Sequence, residues 1–294
     1  MAQQTAVDVV VVSYNSGATL RDCVEPFAHM AQVDVFVVDN DSSDGALETI
    51  ADLPAHTIAR KENGGFAAGC NDGWRAGSAP LVLFLNPDAR LDERSLRELV
   101  RMLDEEPRIG IVGPRLLAGD GSLQFSQRRF PALRSTFAQA LFLHRIFPRA
   151  PWSDEVVREP GAYEVPGSPD WLSGACLLVR RRVLEQIGGW DDSFFLYSED
   201  TDLCRRARNA GFDVRYVPTA TATHVGGQSS PREGLLPMLA ESRVRYARKH
   251  EPRVRAFGQR VGVALSAFSH LAAARTPGTR AGHARALKNT LLRA

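Results

Sequence analysis

A chain of 294 residues, 44% hydrophobic and 24% charged, can bury a sizeable core as one large domain or one domain plus an appendage, which excludes a disordered chain. The formal net charge of +2 conceals an asymmetry: residues 243–294 carry twelve Lys/Arg against one acid, Glu251, while residues 1–242 carry twenty-four against thirty-three. A basic tail on an acidic body favours an anionic contact surface, and membrane headgroups and nucleic acid both qualify on charge alone.

In chain order, Val9 to Ser13 is a β-branched apolar run that ends in SYNSG, followed by a helical stretch from about Thr19 to Met30. Val35 to Val38 is a second apolar run and ends in DNDSSDG, full of helix caps and turn formers. Ala46 to Ala51 suits a short helix, His56 to Ala59 a short strand, and Gly65 to Ala76 a Gly/Ala-rich helix entered through NGG. Leu81 to Leu85 is the most continuous strand and ends in NPDA; an amphipathic helix over Asp92 to Glu105 and a strand at Ile109 to Val112 follow. From Arg128 to Gly167 the βα rhythm is lost in proline and mixed charge, and this stretch is expected to be an irregular insertion that shapes acceptor choice. Order returns at Trp171 to Val179, then a helix near Arg181 to Ile187 closed by Gly188 and Gly189, and a helix that opens with Glu199 and Asp200 and ends at Gly211. Phe212 to Val217 reads as a strand leading to His224 and the polar loop VGGQSS.

Strands apolar throughout and separated by helices indicate a mostly parallel sheet covered on both faces, with ligands bound at the carboxyl ends of the strands. Those ends carry SYN, DNDSSDG and NPD, a candidate site, although any α/β domain needs polar loops. Asp88, after the central strand, suits a Mg²⁺ or Mn²⁺ ion that neutralises a departing diphosphate; an acid after a strand is also a common turn residue. Glu199 and Asp200 suit removal of an acceptor proton, or simply favour the dipole of their helix, and Asp202 supports the second reading. His224 is either a metal or phosphate ligand or a structural histidine. NGGFAAGCNDG lacks the G-K-[ST] of a phosphate loop, and no G-x-S-x-G or HExxH is present.

Taken together, VVVSYNS at 10–16, VDNDSSDG at 38–45, NGGFAAGCNDG at 63–73, LFLNPDA at 83–89, WLSGACLLVRR at 171–181, FFLYSEDTDLCRRARNAGF at 194–212 and the His224 loop resemble family 2 of the glycosyltransferases. The resemblance covers about residues 8–230 in order and is nearest to bacterial rhamnosyltransferases of cell-wall and O-antigen assembly. It implies a GT-A fold over residues 1–240, a single mostly parallel sheet flanked by helices, with a basic helical extension over 241–294. It implies an inverting, metal-dependent transferase with Asp200 as base and Glu199 beside it. Ser13, Asn15, Asp39, Asn40, Asn63, Gly65, Phe66, Asn86 and Asp88 would border the nucleotide-sugar donor, Trp171 and Gly174 the acceptor. Asp88 and His224 would hold Mg²⁺ or Mn²⁺. The family's metal motif, often Asp-x-Asp, reads Asn86-Pro87-Asp88 here, one carboxylate fewer.

The implied donor is dTDP-rhamnose and the implied acceptor a polyprenyl-linked or envelope saccharide. UDP-galactofuranose, UDP-GlcNAc or GDP-mannose as donor, and a non-catalytic nucleotide-sugar-binding scaffold, stand as alternatives. In the tail, Val254, Phe257, Val261, Leu265, Phe268 and Leu271 recur at helical spacing beside Arg253, Arg255 and Arg260. Such a helix lies on an anionic inner-membrane surface or packs on the protein, and a homo-oligomer is left open. Nucleic acid is not expected, because no aromatic platforms interleave with the basic residues. VGVALSAFSHLAAA is too short and polar to span a bilayer. The unpaired spacing of Cys23, Cys70, Cys176 and Cys204, and an N-terminus without a charged start and apolar core, point to a cytoplasmic protein.

Overall fold

The computed structural model describes residues 5–226 and 232–292. In chain order the first elements are β1 (Val7–Ser13), α1 (Gly17–Ala28), β2 (Val33–Asp39), a 3₁₀ turn (Leu47–Ile50), β3 (His56–Ala59), α2 (Phe66–Ala76), β4 (Leu81–Leu85), β5 (Ala89–Leu91), α3 (Glu93–Glu105) and β6 (Ile109–Leu117). They are followed by β7 (Leu123–Gln124), β8 (Gln127–Arg128), α4 (Leu133–Ala140), α5 (Leu143–Ile146), a 3₁₀ turn (Pro160–Tyr163), β9 (Trp171–Leu172) and β10 (Cys176–Arg180). The chain continues with α6 (Arg181–Ile187), α7 (Glu199–Asn209), β11 (Asp213–His224), α8 (Arg232–His250), α9 (Arg253–Ala273) and α10 (Pro277–Leu292).

The main sheet runs β3-β2-β1-β4-β10-β6-β11-β5. Its first four strands are parallel, as are β6 and β11, while β10 enters antiparallel between β4 and β6 and β5 pairs antiparallel with β11. β1 shows why its strands are apolar throughout. Val7, Val9 and Val11 face the core shared with α1 and α3, and Val10 and Val12 face the core shared with α2, α6 and α7. Both faces are covered, and the one acid within β1, Asp8, is buried and paired with Arg181. Leu96, Leu99, Val100 and Leu103 supply the buried face of α3, and the Asp92 carboxylate caps it by accepting the Ser95 N–H at 2.7 Å. α6 ends in left-handed Gly188, the stop its two glycines suggest.

Three features differ from the sequence expectation. The stretch 128–167 contains α4, a regular helix packed along α9: Leu133, Thr136 and Phe137 lie where a side chain at Gly258 or Gly262 would stand. β11 continues past Val217 through a bulge to His224, because Thr221 to Thr223 go on pairing with β6. Helix α8 crosses residue 240 unbroken and packs with α9 and α10 around Ala240, Val244, Val263, Ala267 and Ala286. Of the apolar stripe on α9, Val254, Phe257, Val261 and Phe268 are exposed, and Leu265 and Leu271 half-buried. The loop expected after His224 lies outside the described residues beyond Gly226. Among the described residues no helix is long and apolar enough to cross a membrane, and all four cysteines are buried, unpaired thiols.

Candidate functional site

The carboxyl ends of β1, β2 and β4 open into a cleft of about 1190 Å³. Asn40, Asn63, Gly65, Phe66, Asn86 and Asp88 line it from the N-terminal half; Trp171, Gly174, Glu199, Asp200 and His224 line it from the C-terminal half. Ser13 and Asp39 pair across β1 and β2 and adjoin the lining residues Tyr14 and Asn40, but neither is itself part of the lining, and nor is Asn15. Asn15 instead accepts the Ser43 N–H at 2.9 Å and shapes the loop after β2. Ser13 Oγ, Asp39 Oδ1 and Asn40 Oδ1 are buried with no hydrogen-bond partner within the protein. Three orphaned polar atoms at adjoining strand ends are costly unless a ligand or water satisfies them.

The turn before α2 is fixed by side chains. Asn63 Oδ1 accepts the Gly65 N–H at 2.9 Å, and Asn40 Nδ2 donates to the Gly65 carbonyl at 2.9 Å. Gly65 has φ +85° and ψ 173°, a region nearly exclusive to glycine, and a Cβ there would lie 2.3 Å from the Phe195 carbonyl oxygen. The turn is therefore pressed against the loop that leads to α7, and the Phe66 N–H donates to that same oxygen at 3.0 Å. Gly65→Ala should lower folding stability by about 1–3 kcal/mol, read by urea titration; an unchanged midpoint would show that the two loops part easily.

Tyr197 and Ser198 both take left-handed φ, 69° and 65°, without being glycine, and they aim the first turn of α7 into the cleft. There the Asp200 carboxylate accepts the Gly174 N–H at 3.0 Å and the Thr201 N–H at 2.7 Å. Burial raises its pKa, which those N–H groups and the charge of Arg128 oppose without reversing. Glu199 is pushed up more firmly, first by burial and then by the Asp200 charge, and its Oε2 has no partner. Of the two, Asp200 has the N–H donors that favour a negative charge, while Glu199 Oε2 has none. Gly174 reaches Asp200 because the chain breaks between β9 and β10, where the Ala175 carbonyl accepts the Asn86 N–H at 3.0 Å.

The second pole of the cleft is Asp88 with His224. Antiparallel pairing of β5 and β11 sets Ala89 opposite His224, which brings His224 Nε2 to 3.3 Å from Asp88 Oδ1 and from Asn86 Nδ2. Gln124 orients the imidazole: its Nε2 donates to the His224 carbonyl at 2.6 Å, so its Oε1, 3.0 Å from Nδ1, accepts a proton there. In the neutral ring Nε2 then carries the lone pair, and two acceptors face each other across 3.3 Å, an arrangement that a cation relieves. Burial works against the Asp88 charge, but an imidazolium at His224, which donates from Nε2, and the Gly226 N–H outweigh it and hold the carboxyl below its ordinary value of 3.8. Among the described residues no group of three His, Cys, Asp or Glu could enclose a metal unaided. Asp88 and His224 fit an ion that takes its remaining ligands from a diphosphate and water.

Sequence reasoning missed two cleft residues and one supporting residue. Arg128 lies over the Trp171 ring at 5.6 Å with its charge felt at Asp200. Phe195 supplies the carbonyl that meets the turn before α2. Gln124 sits on a two-residue strand with no local signature.

Comparison with known proteins follows the same lines. A profile described as Glycosyltransferase like family 2 matches residues 4–249. An N-acetylglucosaminyl-diphospho-decaprenol L-rhamnosyltransferase of Mycobacterium tuberculosis is 31% identical over 256 residues, covering 81% of this chain and 82% of its own. Rhamnosyltransferase WbbL of Escherichia coli is 29% identical over 51% of this chain and 54% of its own. Among solved structures, a mannosyltransferase from Pyrobaculum calidifontis in complex with GDP-Man and Mn²⁺ superposes with a TM-score of 0.61 at 16% identity, over 99% of this chain and 88% of that one. The fold is of the GT-A type.

Proposed function

The chain belongs to glycosyltransferase-like family 2, and from that premise we propose that it transfers L-rhamnose from dTDP-rhamnose, with inversion, to a polyprenyl-diphosphate-linked saccharide of the cell envelope. The observation that carries the reading is one cleft with two poles: an N–H-bonded Asp200 at one and the Asp88–His224 pair at the other. The transferred sugar and the lipid-linked acceptor in the name of the mycobacterial relative support the choice of sugar and lipid.

In this mechanism the nucleoside end of the donor meets the orphaned acceptors at the ends of β1 and β2, and the turn at Asn63 to Phe66 borders the base and ribose. The acceptor lies toward Trp171 and Gly174. Asp200 takes the proton of the acceptor hydroxyl as its oxygen attacks the anomeric carbon, and the nucleoside diphosphate leaves with the bonding electron pair. Mg²⁺ or Mn²⁺, held by Asp88 and His224, would neutralise the charge that develops on the diphosphate. Gln124 keeps the His224 lone pair aimed at that position. Glu199, protonated, keeps a second negative charge away from the base. The helical extension over 241–294 would bring the catalytic domain to the inner membrane surface, where such an acceptor resides.

A thermal-shift titration with dTDP, UDP and GDP sugars, each with and without Mn²⁺, tests this directly, because a ligand of the folded state raises Tm by mass action. A metal-dependent rise confined to dTDP and dTDP-rhamnose is the expected result; a rise with UDP or GDP sugars alone would sink the donor assignment. Gln124→Ala should raise the Mn²⁺ concentration needed for donor hydrolysis by about 10–100-fold. An unchanged Mn²⁺ titration would show that Gln124 does not orient His224 toward a metal.

A further inference from the structure

We propose that the hairpin between α4 and the buried Ser153, residues 141–152, is a lipid-contacting element that seats the cleft on an anionic membrane surface. The proposal rests on the lipid-linked acceptor put forward above and names the surface through which the enzyme meets it. The hairpin presents Leu141, Ile146, Phe147 and Trp152 outward, with Ile146 67% exposed and Phe147 48%. The Phe147 and Trp152 rings lie 5.6 Å apart on the outside of the molecule. Exposed apolar residues are ordinary when scattered, but here four fall within twelve residues.

The hairpin holds this shape from within. The Phe147 N–H donates to the Leu143 carbonyl at 2.8 Å, and Ser153 Oγ donates to the Phe147 carbonyl. A preformed apolar knob loses little conformational freedom when it enters a headgroup layer. Phe268 adjoins the same surface, because Ser269 Oγ donates to the Ala140 carbonyl at 2.7 Å.

Charge selects the partner. From Arg128 to Ser153 the chain carries five arginines and no acid. The next two acids, Asp154 and Glu155, are buried and taken up by Arg158 and Arg243, so they do not offset the exposed Arg145 and Arg149. Apolar and aromatic side chains beside uncompensated arginines match an anionic bilayer interface, where rings sit at headgroup depth and guanidinium groups meet lipid phosphates. The inner side of the hairpin belongs to the cleft: His144 lines it, and the Phe142 ring lies 4.4 Å from that of His270, another lining residue. One short segment thus has lipid-compatible side chains on one side and the substrate cleft on the other.

The full-length protein is sedimented with phosphatidylcholine vesicles with and without phosphatidylglycerol. Wild type should bind the anionic vesicles, and brominated lipid should quench a component of tryptophan emission that Trp152→Phe removes. Ile146→Asp/Phe147→Asp and Arg145→Glu/Arg149→Glu should each weaken vesicle binding by roughly tenfold or more, with the vesicle-free thermal shift by donor unchanged. Binding of both variants like wild type, or equal binding to neutral vesicles, would overturn the proposal. So would variants that convert a dimer to a monomer in sedimentation while vesicle binding persists, since the covering partner would then be a second copy of the chain. If hairpin-dependent vesicle binding appears while no nucleotide sugar shifts Tm, the transferase reading has failed and the lipid surface stands.

Discussion

Replacing Asp200 with Asn should lower kcat by about 10²–10⁴-fold, the range for removal of a general base, while the donor-induced rise in Tm stays close to wild type. The amide keeps the shape of the carboxylate but cannot take a proton, and it can accept only one of the two N–H groups, from Gly174 and Thr201, that now converge on the two oxygens. Glu199→Gln provides the contrast. Burial and the Asp200 charge push the Glu199 carboxyl up more firmly than that of Asp200, so its neutral isostere should change kcat less than about tenfold. Equal losses in the two variants would mean that the roles are shared or reversed. The pH profile carries the same information. Burial raises Asp200 above its ordinary value of 3.8, and the base works only when ionised. The acid limb of kcat/KM should therefore fall at a pH above the ordinary aspartate value, and Asp200→Asn should abolish that limb along with the rate.

The largest expected loss of stability follows from Asp202→Ala. This carboxylate is fully buried and accepts from Arg206 Nε at 2.7 Å, Lys249 Nζ at 2.7 Å and His250 Nε2 at 2.7 Å. Arg206 belongs to α7, and Lys249 and His250 close α8, so a single acid joins α7 to the helical extension. Without it the partners stay in place around an uncompensated gap, at a cost of about 3–5 kcal/mol, read by urea or guanidinium titration. A loss within the range of ordinary surface substitutions would show that solvent replaces the carboxylate. The acid dependence has a definite sign. Burial raises Asp202, but the His250 hydrogen bond, Arg206 and Lys249 outweigh it and leave the pKa below 3.8. The unfolded state binds the proton first, so this contribution is complete above the unfolded value and is lost as pH falls through the folded one. The acid limb of wild-type stability should be steeper than that of the variant.

Asp202 also marks where sequence reasoning stops. Next to Glu199 and Asp200 it reads as one acid too many at a helix start, and nothing local announces Lys249 and His250 nearly fifty residues on. What was legible is what local physics dictates. The runs Val9 to Val12, Val35 to Val38 and Leu81 to Leu85 are apolar on both faces because both faces are covered, and the carboxyl ends of those strands carry polar residues of the kind a ligand site needs. Gly188 stops α6 for a reason visible in two letters, and Asp92 caps α3 for another. The pairings between distant segments were not legible. β10 runs antiparallel through an otherwise parallel neighbourhood, which delivers the Gly174 N–H to Asp200; Gln124 reaches His224 from a strand of two residues. The helix α4 was obscured by the prolines and charges around it, and its identity comes from packing on α9 rather than from periodicity.

The contact between Gly65 and Phe195 has a consequence for the way such enzymes diversify. The turn after Asn63 and the loop before Glu199 are separated by about half the chain, yet they touch backbone to backbone, with no room for a single methyl group between them. Neither can be lengthened, reshaped or transplanted from a relative without its counterpart. A change of length or shape on one side of this seam therefore requires a matching change on the other, so the two loops behave as one module.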